Sequence, residues 1–295
     1  MRLITFRKDG TDRVGALTHG DATVIDLTAA GIAGSMLDLI DRFDDLRDRI
    51  GTAVKSLPEH PFDATRDLLA PIPQPRRNIF CVGKNYHEHA AEFGSSGFDS
   101  GSVGGSEVPD YPIIFTKPPT SVVGPGASID SALDPFASVD YEAELAVIIG
   151  RGGRVTAAHD PMEFVFGYTI LNDVTSRELQ KRHKQWVLGK GIDTFAPMGP
   201  TIVTRDAIAN LADLRIELSV NGERRQSAQI RDLIFDIPTL VRTIGRSISL
   251  VPGDIIATGT PAGVGIGFKP PRYLKRGDTV RITVPEIGVL ENPVI

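Results

Sequence analysis

The stretch VDYEAELAVIIG, residues 139–150, sets Glu142 and Glu144 one residue apart at the head of an apolar run. Strand side chains alternate between faces, so the two carboxylates share a face with Ala146 and Ile148, their Cα atoms about 7 Å apart. Like charges on one face are costly unless water, a proton or a cation offsets them. Two solvated acids at an exposed strand entrance would meet that condition, and so would a bound cation. Asp173 ends the apolar run FVFGYTILND, and an acid at a strand end can project into the space between elements. Three carboxylates completed by waters suit Mg²⁺ or Mn²⁺. No Cys/His spacing for zinc occurs in the sequence. Asp173 has a competing role as the N-cap of a helix beginning in VTSRELQKR. The metal reading therefore requires the three acids to converge.

A second group of residues could move protons or hold anions. In HEHAAE, His89 and Glu92 stand three apart and share a helical face. A carboxylate beside imidazole fixes its tautomer and raises its basicity, which a general base needs. A surface His–Glu pair would have the same spacing. His87 would face elsewhere on that helix and reads as a surface residue. Lys190 lies between two glycines in WVLGKGIDTFAPMGP. It is no phosphate loop, because Gly191 stands where a Ser or Thr is required. The glycines leave backbone room around an ammonium at an anion site, or they mark an exposed turn. PGDIIATGTPAGVG runs from a strand into a Gly-rich loop. Its N–H groups and the Thr260 hydroxyl could hold a carboxylate, or form a plain turn.

The elements that must position these residues follow from composition and periodicity. Thirty glycines and 21 prolines against 6% aromatics favour short strands and many turns over a helical bundle. Strands are expected at 142–149, 165–172, 214–220, 254–258 and 279–284, with helices near 175–184 and 236–246. The fold class is therefore mixed β with some α, not a doubly wound nucleotide fold. Residues 1–70 read as a small N-terminal α+β domain. RLITFR and RVGALTHGDATVIDL supply its strands, and SMLDLIDRFDDLRDRI a helix with a charged outer face. The proline-rich LLAPIPQPRR, residues 68–77, reads as the linker to a second domain, 71–295. Segment 94–110 is rich in Gly and Ser and reads as a linker or a lid. A net charge of −5 gives no general attraction to nucleic acid or anionic membranes. Cys81 is the sole cysteine, so no internal disulfide can form. No run approaches the roughly 18 apolar residues of a membrane span. The opening MRLITFRKDG lacks a signal peptide's apolar core. A soluble, cytoplasmic protein with no nucleic-acid or membrane partner is expected.

Taken in order, CVGKNYHEHAAE, DYEAELAVIIG, NDVTSRELQ, QWVLGKGIDTFAPMGP, GDIIATGTPAGVG and EIGVLENPV resemble the fumarylacetoacetate hydrolase family. The likeness runs from about residue 78 to 295, and is strongest to smaller members acting on acylpyruvates and related 2-keto acids. Residues 1–70 look like the small amino-terminal module that many such members carry. The resemblance implies a β-sandwich roll, usually as a homodimer. It implies Mg²⁺ or Mn²⁺ on Glu142, Glu144 and Asp173, and a His89–Glu92 dyad on a closing lid. Arg177, Gln180 and Thr260 fall on the family's substrate-binding positions, and Lys190 on the lysine that stabilises the enolate product. The implied reaction is hydrolytic C–C cleavage of a 2,4-dioxo acid, to pyruvate or a 2-oxo acid plus a carboxylic acid. His89, oriented by Glu92, would activate the water. The same enolate chemistry supports oxaloacetate decarboxylation, or isomerisation and decarboxylation of 2-hydroxy-dienoates. The complete dyad favours hydrolysis, since decarboxylation has less need of a base. A metal-stabilised binding protein is the reading from another class, and it would not need His89 or Lys190.

Overall fold

The computed structural model describes residues 1–18, 23–61, 63, 66–95 and 108–295. Strand Ala143–Ile149 is buried at every position and lies between Val165–Asn172 and Ile255–Ala257. A strand covered on both faces must be apolar on both, and its alternation sorts the two cores. Ala143, Leu145, Val147 and Ile149 pack with Ile216, Leu218, Val280 and Ile282 of a second, four-stranded sheet. Ala146 and Ile148 pack with Met36, Leu39, Ile50, Met198 and Ile255 on the opposite side. The four-stranded sheet runs in the order Glu223–Gln229, Arg215–Val220, Thr279–Val284, Gly288–Pro293 and is antiparallel throughout. Two sheets facing across a shared apolar layer, with few helices, form the expected mixed β fold.

Helix Ile237–Ser247 shows how local sequence and packing agree. Asp236 caps it by accepting from Thr239 N, and Ile237, Leu240, Val241 and Ile244 recur at helical spacing to enter the core between the sheets. Helix Phe43–Ser56 buries Leu46, Ile50 and Ala53 and leaves its charged face outside, as its periodicity predicts.

The main sheet continues across residue 70. Arg2–Lys8 pairs antiparallel with Ala196–Thr204, with Leu3 opposite Ile202. Thr11–Leu17, Thr23–Asp26 and His60–Pro61 extend the sheet beyond Arg2–Lys8. The proline-rich segment follows the first strand instead of hanging free. Leu69 N donates to Thr5 O at 3.0 Å, Thr5 Oγ1 donates to Pro71 O at 2.7 Å, and Ala70 and Ile72 are buried. Prolines gave this stretch the texture of a linker, while its small apolar residues point inward.

On the far side of Ala143–Ile149, Ile255–Ala257 pairs in parallel with Ile79–Gly83, whose other neighbour is Ile113–Lys117. Cys81 sits mid-strand there, opposite Ala257 on one side and Phe115 on the other, and is buried. Most of segment 94–110, expected to be a linker or a lid, lies outside the described residues. No helix among the described residues is long and apolar enough to cross a membrane.

Candidate active site

The three acids converge where two core strands end together. Leu171 is opposite Glu144 and Asn172 opposite Ala143, so Asp173 follows one strand just as Glu142 precedes the other. Asp173 N donates to Glu142 O at 2.8 Å, and Glu142 N donates to Asn172 Oδ1 at 3.0 Å, locking the two ends together. One oxygen from each of Glu142, Glu144 and Asp173 lies within 4.8 Å of the others, and all three residues are buried. The exposed strand entrance is therefore ruled out. The competing cap role is filled by Ser176, whose hydroxyl accepts from Leu179 N at the start of helix Arg177–His183.

Buried carboxylates need partners, and three cations surround these. Lys190 Nζ donates to Glu142 Oε2 and Asp173 Oδ2, both at 2.7 Å. Lys117 Nζ donates to Asp173 Oδ1 at 2.7 Å and Val174 O at 2.9 Å. Arg177 reaches Glu142 Oε1 at 2.6 Å and Asp140 Oδ2 at 2.8 Å. Burial opposes ionisation of Glu142, but Lys190 and then Arg177 outweigh it and bring its carboxyl down to about 2. Burial likewise works against Lys190, and Asp173 with Glu142 overcome it, raising its ammonium. Glu144 is different. Burial, then the neighbouring Asp173 and Glu142, push it well above the carboxylate range, with Lys190 and the Gly259 N–H at 2.8 Å offsetting only part. Three hard oxygen donors at this spacing fit Mg²⁺ or Mn²⁺, and Glu144 is the group a divalent charge would hold ionised.

Helix His87–Ser95 brings the proton-handling pair to the same cavity. His89 is buried and its Nδ1 lies 3.4 Å from Glu92 Oε2, while His87 is exposed, as expected. Gly263 N approaches both Glu92 oxygens at 3.2 Å. A Cβ on Gly267 would stand 1.8 Å from Glu92 Oε1, so that glycine makes the approach possible. The Gly-rich loop thus holds the protein's own carboxylates. Gly259 N serves Glu144, Gly263 N serves Glu92, and Gly265 N and Ile266 N donate to Asp140 at 2.6 and 3.0 Å. Thr260, expected to face a substrate carboxylate, lines the cavity and accepts from Gln226 Nε2 at 2.8 Å.

Of the residues singled out in the sequence, His89, Glu142, Glu144, Arg177, Gln180, Lys190 and Thr260 line one cavity. Glu92 and Asp173 back onto it through His89 and Lys190. The glycines flanking Lys190 have a different purpose from the expected one. A Cβ on Gly189 would fall 2.5 Å from Gln180 N, and one on Gly191 2.7 Å from Pro118 Cδ. They allow helix Val187–Lys190 to press against its neighbours and do not make room for the ammonium. Sequence reasoning passed over Lys117, Asp140 and Gln226. A lysine inside the apolar run YPIIFTKPP was the available signal for Lys117, which is wholly buried. Asp140 and Gln226 carried none. Gln226 reaches across from the second sheet, accepting from Ala143 N at 3.0 Å while donating to Pro261 O at 2.6 Å.

The profile described as fumarylacetoacetate (FAA) hydrolase C-terminal matches residues 78–295. The chain belongs to the fumarylacetoacetate hydrolase family. It is similar to oxaloacetate tautomerase YisK of Bacillus subtilis, 46% identical over 247 residues, or 84% of this chain and 77% of that protein. Among solved structures it is similar to a fumarylacetoacetate hydrolase from Exiguobacterium antarcticum, at TM-score 0.84 and 40% identity, covering 100% of this chain and 99% of the other. It is also similar to maleylpyruvate hydrolase from Sphingobium sp. SYK-6, solved with manganese(II) and pyruvate. That likeness has TM-score 0.79 and 34% identity, over 100% of this chain and 99% of the other. Family members are enzymes acting on small molecules, and a divalent metal accompanies this fold in the Sphingobium protein.

Proposed function

We propose that this protein interconverts the keto and enol forms of oxaloacetate at the cavity framed by Glu142, Glu144 and His89. The observation that carries the reading is that His89, backed by Glu92, shares a cavity wall with a cluster of three buried carboxylates. Glu142, Glu144 and Asp173 would hold Mg²⁺ or Mn²⁺, which when bound polarises a 2-oxo group and acidifies the adjacent C3 protons. Glu92 beside Nδ1 keeps the imidazole proton there, so Nε2 is the atom that removes the C3 proton while the 2-oxygen takes a proton from solvent to give the enol, and the two transfers reverse to restore the ketone. Lys190 and Arg177 put positive charge beside the oxygen that becomes anionic when C3 loses its proton. Gln180 and Thr260 fix the substrate's orientation through polar contacts. No carbon–carbon bond need break, because proton transfer alone interconverts the two forms. The likeness to the Bacillus tautomerase supports this choice of reaction over the hydrolysis favoured by the dyad alone.

A second reading keeps the same groups and adds a water. His89 would then activate that water for C–C cleavage of a 2,4-dioxo acid, and the likeness to maleylpyruvate hydrolase supports it. One experiment separates the two. Freshly dissolved enol-oxaloacetate is followed with and without Mg²⁺ or Mn²⁺ by a coupled dehydrogenase that reads only the keto form, beside an acylpyruvate assay for released pyruvate. Cation-dependent acceleration of the first without the second is expected. Acylpyruvate cleavage with no effect on keto–enol exchange would replace enolisation by hydrolysis.

A further inference from the structure

Gln226 is the one buried residue of strand Glu223–Gln229, and it is polar. A β-bulge aims it. Leu218 is opposite Gln226 and Ser219 opposite Arg224, so Arg225 is an extra residue that the partner strand does not match, the device by which a strand redirects a side chain. The Gly-rich loop lies directly against this point, since a Cβ on Gly263 would stand 1.9 Å from Arg225 O. The glutamine therefore enters the interior beside Thr260, on the wall of the cavity.

Backbone groups of opposite polarity fix which way its amide faces. Ala143 N can only donate, so the atom 3.0 Å from it is the carbonyl oxygen Oε1. Pro261 O can only accept, so the atom 2.6 Å from it is Nε2. Nε2 carries two protons, and the second goes to Thr260 Oγ1 at 2.8 Å. The hydroxyl is thereby an acceptor on its Gln226 side, and its own proton must point elsewhere. Two positions earlier, Thr258 gives its hydroxyl proton to Leu145 O at 2.9 Å. Among the described residues none accepts the proton of Thr260. A buried hydroxyl proton left without an acceptor is costly, and the cavity that Thr260 lines is where an acceptor can be supplied.

We infer that Gln226 is a positioning residue that holds Thr260 as a hydrogen-bond donor to a carboxylate oxygen of the substrate. The assignment rests on oxaloacetate binding in this cavity, as the enolisation reading requires. The substrate's 2-oxo group belongs with the acid cluster, which leaves its carboxylates as the acceptors for Thr260.

Trp186 is the only tryptophan in the chain and lines the same cavity, so its fluorescence reads oxaloacetate binding to the Mg²⁺-loaded protein whether or not turnover occurs. Thr260→Val removes the hydroxyl, keeps the shape, and should weaken binding roughly ten-fold or more, the effect of one hydrogen bond to a charged group. Thr260→Ser should retain wild-type affinity. The decisive measurement repeats Thr260→Val in a Gln226→Glu background. Glutamate keeps an acceptor for Ala143 N, but its other oxygen carries at most one proton, and Pro261 O claims it. That oxygen can then only accept from Thr260, whose proton turns away from the substrate. Thr260→Val should therefore cost almost nothing in this background, while any effect of the new carboxyl group is common to both proteins compared. Gln226→Met, which leaves Pro261 O to draw the hydroxyl proton, gives the same comparison should Gln226→Glu not fold or not bind. An equal loss from Thr260→Val in both backgrounds, or no loss in the otherwise unaltered chain, would overturn the assignment. The enolisation reading fails separately, if wild-type protein binds oxaloacetate yet leaves keto–enol exchange unaccelerated.

Discussion

Glu144 accepts from Gly259 N and faces Glu142 and Asp173, and burial and those two acids together drive its carboxyl upward. Replacing it with Gln removes the ionisable group while keeping the shape and the Gly259 contact. Cation-free Glu144→Gln should therefore unfold at a higher temperature than cation-free wild type at neutral pH, because a carboxyl whose proton affinity is raised on folding destabilises the fold above the ordinary carboxylate range. The wild type should gain about 2.7 kcal/mol from cation at a hundred-fold excess over its dissociation constant, and Glu144→Gln should gain almost nothing. Thermal melts with and without Mn²⁺ decide this, and an equal cation-induced shift in both proteins would remove Glu144 from the ligand set. His89→Ala should behave in the opposite way. It should keep the full cation-induced shift and lose roughly 100- to 10,000-fold in keto–enol exchange, the usual worth of a positioned base. Undiminished exchange would exclude His89. Glu142, Glu144 and His89 were legible in the sequence because their types and spacing are local. Lys117 offered only the signal of a lysine within an apolar run, and its role was hidden because its partner Asp173 is 56 positions away and only folding joins them.

Among elements, the close approach of helix Val187–Lys190 to helix Arg177–His183 decides where Lys190 and Gln180 stand. Gly189→Ala would force a Cβ to within 2.5 Å of Gln180 N, a backbone atom that cannot swing away. The expected result is a loss of about 1–3 kcal/mol in a denaturant melt, with a raised KM because both cavity residues shift. Unchanged stability and KM would mean that the two helices separate freely. The strands over 143–149 and 165–172 and the helix over 237–247 could be read beforehand, since continuous apolar runs and helical spacing have few alternative structures. The Gly-rich loop could not be read in the same way. Its N–H donors were recognisable, but the acids they serve, Glu92, Glu144 and Asp140, come from distant parts of the chain.

For the whole molecule, Leu3, Val14, Ile25 and Ile50 share one core with Ile79, Ala146, Met198 and Ile255. A chain lacking residues 1–70 would expose that core and leave the Ala196–Thr204 edge without its partner strand. We expect 71–295 alone to aggregate on expression, and a soluble, cooperatively melting fragment would show that the boundary near 70 separates two independent folding units. Proline content made this boundary look like a linker, because composition does not reveal which small residues turn inward. Cys81 adds a consequence of another kind. It is the chain's one thiol, lies mid-strand beside Ile255–Ala257, and has its ionisation suppressed by burial and by Asp173. An aromatic disulfide reagent can reach it only when that seam of the sheet parts, so the labelling rate of unmodified protein counts those openings. Cation bound next door should lengthen the interval between them, making the cysteine a clock for how tightly the acid-bearing strands stay closed.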